Sequence, residues 1–210
     1  GYPDFVRKEL IGVRLVSAMD RLRLESERRT LAVASYISLP RSQEVVNALR
    51  ISRDVCGWDK VNCDANCGQL RRGTRNCDSV DGVTDADLFS AVLHKGERST
   101  VFRTASSIVT DYYGDHQIGF FYVNVGEETA RVEFPAWTTD AGIALVHAGL
   151  LSQAAKGDGY PLALQEAHEQ AVISTADREY FARLIYETLS SENLPTPTSQ
   201  KSRSKRTRFI

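Results

Sequence analysis

Long apolar runs are missing from this 210-residue chain. The longest stretches, such as residues 31–37, fall far short of the roughly 18 apolar residues that a membrane-spanning helix needs. The N-terminus also lacks the basic region and apolar core of a secretory signal. We therefore expect a cytoplasmic protein that does not enter a membrane. Methionine is nearly absent as well: Met19 is the single one and the chain starts with glycine, which suggests a piece of a longer protein.

The chain has almost no net charge, because 26 Lys and Arg residues face 27 Asp and Glu residues. The balance is uneven: residues 191–210 carry five cations against Glu192, a net +4, which leaves −5 for residues 1–190. Ser, Thr and Pro dominate this C-terminal end, which predicts a disordered basic tail. The tail is either a solvated end or a weak contact to nucleic acid or a partner. The acidic body is not typical of a DNA-coating protein and suits a metal-dependent enzyme better.

Cysteine is scarce, and all four cysteines lie close together, at Cys56, Cys63, Cys67 and Cys77. The surrounding insertion, residues 54–80, is polar and rich in turn-forming residues, so burial alone could not hold it. Four thiolates can form a tetrahedral zinc site or ligate an iron–sulfur cluster, and we expect one of these structural groups. Two disulfides or free thiols are the alternatives, although the missing secretory signal disfavours disulfides.

Hydrophobic periodicity predicts a mixed α/β fold in which antiparallel strands are flanked by helices. Two strands, at 118–125 and 129–134, are joined by a hairpin turn at Gly126-Glu127. A third strand at 31–37 is apolar on both faces, so we expect it to be fully buried. Helices are predicted at residues 3–28, 43–51, 85–93, 139–156, 161–173 and 176–189.

The chain contains no self-contained catalytic motif, such as a phosphate-binding glycine loop or a paired-histidine metal helix. Glu133 could hold a metal, but the alternation of its strand puts it on the same face as Arg131. An ion pair between these two residues on the protein surface is therefore the more common arrangement.

The most suggestive segment runs from Tyr160, at the start of a helix, to His168, two turns into it. Periodicity places His168 on the buried face of this helix, together with Leu164, Ala167, Ala171 and Val172. Such an imidazole can ligate a metal, orient a metal-bound water or donate a proton to a leaving oxygen. A core histidine bonded to backbone and a packing tyrosine are the structural alternatives.

Three segments resemble the C-terminal half of NurA-domain nucleases: LAVASYISLPRSQEVVNALR (31–50), FFYVNVGEETARVEFPAW (120–137) and GYPLALQEAHEQAVISTADR (159–178). The cysteine insertion resembles the bacterial branch of the family, and the likeness covers most of residues 1–190. Its most specific part is the spacing of eight between Tyr160 and His168, which in that family both belong to the active site.

The resemblance implies an RNase H-like core with a small cysteine-rich insertion over 54–80 and manganese-dependent hydrolysis of DNA during end processing in double-strand break repair. It also implies a HerA-type hexameric ATPase as partner and a homodimer. In the family the metal is held mainly by acidic residues of the N-terminal half. We therefore transfer only Tyr160 and His168 to this chain, with His168 as a possible metal ligand, and expect residues 1–210 alone not to cut DNA.

A second hypothesis needs no catalysis. In it the chain is a zinc-stapled binding or scaffold module that docks a motor protein or DNA. The two hypotheses differ in whether Tyr160 and His168 act on a substrate.

Overall fold

The computed structural model describes Asp4 and residues 7–192. The chain divides into two compact units, Gly1–Ala163 and Leu164–Ile210. The start of the predicted first helix at Pro3 and the predicted tail from residue 193 onward lie outside the described residues. Within the described part, no helix combines the length and apolar composition needed to cross a bilayer.

The first unit is built on one four-stranded antiparallel sheet with the strand order β1-β4-β3-β2. The strands are β1 (Ser35–Ile37), β2 (Phe102–Arg103), β3 (Ile118–Asn124) and β4 (Thr129–Pro135). β3 and β4 form the predicted hairpin in register from Ile118↔Pro135 to Asn124↔Thr129. Gly126, with φ of +112°, supplies the positive φ that the hairpin turn requires.

Helices cover both faces of this sheet, as expected for a mixed α/β fold. On one face, Phe121, Val132 and Phe134 form a core cluster with Ile143 and Ala154 of the helix Asp140–Lys156. On the other face, Phe120 and Tyr122 pack against Phe89 of the helix Asp85–Val92. The helices of the first unit are α1 (Val16–Arg28), α2 (Glu44–Arg50), α3 (Arg53–Cys56), α4 (Cys63–Cys67), α5 (Asp85–Val92), α6 (Ser107–Tyr112) and α7 (Asp140–Lys156).

Local signals explain why the best-predicted helix begins and ends where it does. The Thr139 hydroxyl caps α7 by accepting a hydrogen bond from the Gly142 amide, and Gly157 is its C-cap. The helices predicted at 43–51, 85–93 and 139–156 are therefore confirmed as α2, α5 and α7.

The N-terminal helix is wound in two ways: Arg7–Leu15 is π-helical and continues directly into α1. A partly buried polar contact joins α1 to the segment just before β3. Asp20 lies 3.0 Å from Nε2 of the buried His116, whose Nδ1 accepts a hydrogen bond from the Trp137 indole at 3.1 Å. An indole N–H can only donate, so Nδ1 of His116 is the acceptor and Nε2 carries the imidazole hydrogen. Nε2–H therefore donates a hydrogen bond to Oδ1 of Asp20.

One predicted strand is wrong in extent and in burial. β1 covers only Ser35–Ile37, with Tyr36 half-buried between two exposed neighbours, instead of a fully buried strand over 31–37. The reason is its place at the edge of the sheet, where it pairs with β4 on one side. The sequence patterns also missed β2, α6 and the short helices of the cysteine insertion, each of six residues or fewer.

The second unit contains most of α8 (Leu162–Gln170) and all of α9 (Thr175–Ser191). Ser174 and Asp177 form a capping box at the start of α9, which explains its N-terminal boundary. Both helices were predicted, with boundaries that differ by one to three residues.

Candidate functional site

Tyr160 lies in a tight turn that connects α7 to α8. Asp158 and Gly159 both have positive φ, +53° and +94°, so the chain reverses sharply before the buried Pro161. A Cβ at Gly159 would lie 2.6 Å from Cγ of Glu127, in the hairpin turn. Glycine is thus required at this position, and the turn holds the Tyr160 backbone against the β3–β4 hairpin.

The half-buried Tyr160 ring meets the ring of Tyr36 edge-to-face, with centroids 5.5 Å apart. The Tyr36 hydroxyl donates to Oε1 of Glu128 at 2.5 Å. The other oxygen of Glu128 accepts from the Ser38 hydroxyl at 2.7 Å and from the Leu39 amide at 3.1 Å. We call Tyr36, Glu128 and Tyr160 the Tyr36–Tyr160 cluster.

Burial raises the pKa of Tyr36 far above its ordinary value, and the hydrogen bond and negative charge of Glu128 raise it further. Tyr36 therefore stays protonated and acts as a fixed donor to Glu128. The Tyr160 hydroxyl, in contrast, has no hydrogen-bond partner among the described residues up to Ala163. It is available to a phosphate oxygen or a water molecule.

Sequence reasoning identified Tyr160 but missed the other two members of the cluster, Tyr36 and Glu128. Tyr36 and Glu128 are 92 residues apart and belong to no local motif. Only the pairing of β1 with β4, which sets Tyr36 opposite Val132, brings them together.

His168 lies on α8 in the second unit, and its side chain is exposed. The predicted buried face of this helix is exposed as well, with Leu164 at 39% and Val172 at 67% exposure. None of the described residues from Leu164 onward cover that face, so the second unit by itself does not provide the predicted burial. The exposed imidazole excludes a core histidine bonded to backbone within this unit.

Arg131 forms the centre of a second polar cluster, which lines a cavity of about 610 Å³. Its guanidinium is only 4% exposed and contacts Glu133 at 2.8 Å, Glu44 at 2.9 Å and the Ser42 hydroxyl at 3.0 Å. The same group lies 3.7 Å above the Phe120 ring. The predicted pair of Arg131 and Glu133 is thus present, but on the buried arginine rather than on the surface.

The charges of this cluster are matched to each other. Burial pushes the pKa of Glu44 upward, but a hydrogen bond from Thr104 and the charge and hydrogen bond of Arg131 bring it below its ordinary value. Glu44 is therefore ionised, and Arg131 engages both Glu44 and Glu133, which leaves these carboxylates poorly suited to binding a metal.

The four cysteines are free thiols that line one cavity of about 220 Å³. Burial raises the pKa of the Cys67 thiol, and the nearby thiols of Cys56, Cys77 and Cys63 raise it further. No three His, Cys, Asp or Glu side chains in the described part of the chain are already arranged to hold one metal ion.

Residues 9–173 match the model of the NurA domain family. The chain belongs to the NurA family. The match includes β1 to β4, the cysteine insertion, Tyr160 and His168, whereas α9 lies beyond it.

One solved structure is similar to this NurA-family chain, the NurA nuclease from Sulfolobus solfataricus, at 21% identity and a TM-score of 0.38. The similarity covers 59% of this chain and 38% of the Sulfolobus chain. A comparison with curated proteins found no match.

Proposed function

We propose that this chain carries part of the active site of a DNA nuclease that hydrolyses phosphodiester bonds. The observation that carries the proposal is the NurA-domain match over residues 9–173, which includes both Tyr160 and His168. The Tyr160 hydroxyl of the Tyr36–Tyr160 cluster supports it. This hydroxyl has no hydrogen-bond partner among the described residues up to Ala163, and a group that binds substrate must not be engaged by the protein itself. The RNase H-like character of the core and a role in DNA end processing are part of the same proposal.

The proposed chemistry gives each of the two residues one task. Tyr160 donates a hydrogen bond to a phosphate oxygen or to the attacking water and so positions it. Water attacks phosphorus and loses a proton to solvent, while the bond from phosphorus to the leaving oxygen breaks. The imidazolium form of His168 gives its proton to this oxygen and regains one from solvent afterwards. An exposed imidazole can reach a DNA substrate, which is consistent with this task.

Manganese dependence is proposed from the family resemblance, and the described residues do not fit a manganese site by themselves. Glu44 and Glu133 are held by Arg131, and Glu128 is held by Tyr36, Ser38 and Leu39. The buried Asp85 accepts from the Tyr122 hydroxyl and the Val46 amide. We therefore assign no carboxylate of this chain to a catalytic metal.

A HerA-type hexameric ATPase and a second copy of this chain are the proposed partners. Apolar side chains repeated one helical turn apart on α9 support the need for a protein partner, namely Tyr180, Phe181, Leu184 and Ile185, which are all exposed.

The test is cleavage of linear single- and double-stranded DNA in manganese by the product of the complete gene and, separately, by residues 1–210. We expect the complete product to cleave DNA and Tyr160→Phe and His168→Ala each to reduce the rate at least tenfold. Residues 1–210 alone should leave DNA intact.

A folded gene product that leaves DNA intact, with or without a HerA-type ATPase, contradicts the nuclease proposal. In that case the second function applies, a non-catalytic module that docks a motor protein or DNA, which the exposed apolar side chains of α9 favour. Cleavage by residues 1–210 alone contradicts instead the assignment of an incomplete metal site.

A further inference from the structure

The cysteine insertion is held together by turn hydrogen bonds rather than by an apolar core. Asn62 caps α4 by accepting from the Ala65 amide at 3.1 Å, and the Asn76 side chain donates to the Cys56 carbonyl at 3.2 Å. Cys56 is the one buried apolar residue among 54–80. A segment with so little buried apolar surface needs another source of stability, such as a disulfide or a metal group.

These hydrogen bonds place the four cysteines around one space. Cys56 ends α3, Cys63 and Cys67 are the two ends of α4, and Cys77 lies in the 3₁₀-helix Asn76–Val80. All four line the cavity of about 220 Å³, which we call the cysteine cavity.

The size of this cavity argues against a single metal ion. Zinc holds sulfur at about 2.3 Å, so four zinc ligands would lie roughly 3.8 Å from each other with no space between them. The cysteine cavity, at about 220 Å³, is far larger than one metal ion. In addition, no three of the metal-binding side chains described are close enough to share one ion. The space instead fits several metal atoms bridged by inorganic sulfide.

Two arginines give the cavity its charge preference. Arg50 and Arg75 both line it, and the Nε–H of each is buried without a hydrogen-bond acceptor among the described residues. Buried N–H groups require an acceptor, and a nearby positive charge favours an anion. The guanidinium of Arg50 also pairs with Asp81 at 2.9 Å, so the charge preference comes mainly from Arg75. An iron–sulfur cluster with four thiolate ligands is net negative, and its sulfur atoms accept N–H hydrogen bonds.

We propose that the cysteine cavity binds an iron–sulfur cluster through Cys56, Cys63, Cys67 and Cys77, with Arg50 and Arg75 as donors to its sulfur atoms. Each thiol loses its proton to solvent as its sulfur binds iron, while iron and inorganic sulfide come from outside the chain. The iron atoms keep their oxidation states on ligation, and the role of the cluster is to hold the insertion folded.

The first experiment is anaerobic isolation of the protein and reconstitution with ferrous iron, ferric iron and sulfide. We expect iron and acid-labile sulfide in equal amounts, with a broad visible absorption that dithionite bleaches. Cys67→Ser and Cys77→Ser should lose both iron and sulfide. One zinc per chain without labile sulfide, a disulfide between the cysteines, or no bound metal after reconstitution would each overturn the proposal.

Because cysteine variants can fail to fold, arginine variants provide an independent test. Arg75→Gln keeps the four ligands but removes one N–H donor, so the reduction potential of the cluster should become more negative. The matched control is Arg53→Gln on α3, whose guanidinium pairs with Asp59 at 3.1 Å outside the cavity lining. A potential that is the same in wild type and Arg75→Gln would overturn the role of Arg75 as a donor.

Discussion

The ring of Tyr36 packs edge-to-face on the ring of Tyr160, with centroids 5.5 Å apart and an interplanar angle of 83°. This contact connects the edge strand of the sheet to the turn that carries the candidate active-site tyrosine. The Tyr36 hydroxyl is itself held by Glu128, a carboxylate in the hairpin turn.

The first prediction concerns the hydrogen bond from Tyr36 to Glu128. Tyr36→Phe keeps the ring but removes the hydrogen bond to the Glu128 side chain, so we expect a loss of about 1–2 kcal/mol in the free energy of unfolding. Urea denaturation measures it as a lower midpoint at an unchanged slope. The control is Tyr180→Phe, where the side chain is exposed. Equal effects of the two substitutions would contradict the prediction.

The second prediction concerns the buried guanidinium of Arg131. Arg131→Met leaves Glu44 and Glu133 without their cation and should reduce the free energy of unfolding by about 2–4 kcal/mol. The matched control is Arg103→Met on β2 in the same sheet, where the side chain is exposed and the effect should stay within about 0.5 kcal/mol. If Arg131→Met unfolds at the same urea concentration as this control, the cluster does not stabilise the sheet.

The third prediction follows from the lowered pKa of Glu44. The unfolded chain binds a proton at this residue near its ordinary pKa of 4.5, whereas the folded chain binds it only at lower pH. The stabilisation is therefore fully present above about pH 4.5 and is lost as pH falls through the folded pKa. We expect Glu44→Gln to show a shallower decrease in unfolding free energy on acidification than wild type.

Urea unfolding at steps from about pH 6 down to about pH 3 measures this slope. Glu27→Gln on α1 is the control, because Glu27 pairs with Arg23 at 3.8 Å and both side chains are largely exposed. The slope of this control should match that of wild type. A Glu44→Gln slope that also matches wild type would mean that Arg131 and Thr104 do not stabilise the ionised carboxylate.

The elements that the sequence predicted correctly carry their own boundary signals. Gly126 marks the hairpin, and Thr139 and Gly157 mark the two ends of α7. The burial of the apolar faces of α8 and α9, in contrast, has no such local signal. Periodicity reveals an apolar stripe on a helix, but it does not reveal whether another part of the same chain covers it.

The Tyr36–Tyr160 cluster could be predicted only in part, for a similar reason. Tyr160 stands out through its family spacing to His168, whereas Tyr36 and Glu128 become its neighbours through strand pairing. The register of an edge strand depends on pairing with a distant segment, so no short sequence window contains it.

The fourth prediction rests on the proposed nuclease function. It tests whether the ring of Tyr36 or its hydrogen bond to Glu128 positions Tyr160. Tyr36→Phe retains the edge-to-face ring that positions Tyr160, so the kcat of the complete gene product on DNA should stay within about twofold of wild type. Tyr36→Leu removes the ring, and misplacement of Tyr160 should lower kcat about tenfold or more, with a smaller effect on KM.

Circular dichroism and urea midpoints show whether both variants remain folded during the assay. If Tyr36→Phe and Tyr36→Leu lower kcat equally while folded, the hydroxyl bond to Glu128 rather than the ring contact supports the site. If neither variant changes kcat while Tyr160→Phe does, Tyr160 acts without support from Tyr36. Only a loss confined to Tyr36→Leu agrees with a ring-to-ring contact that orients the catalytic tyrosine.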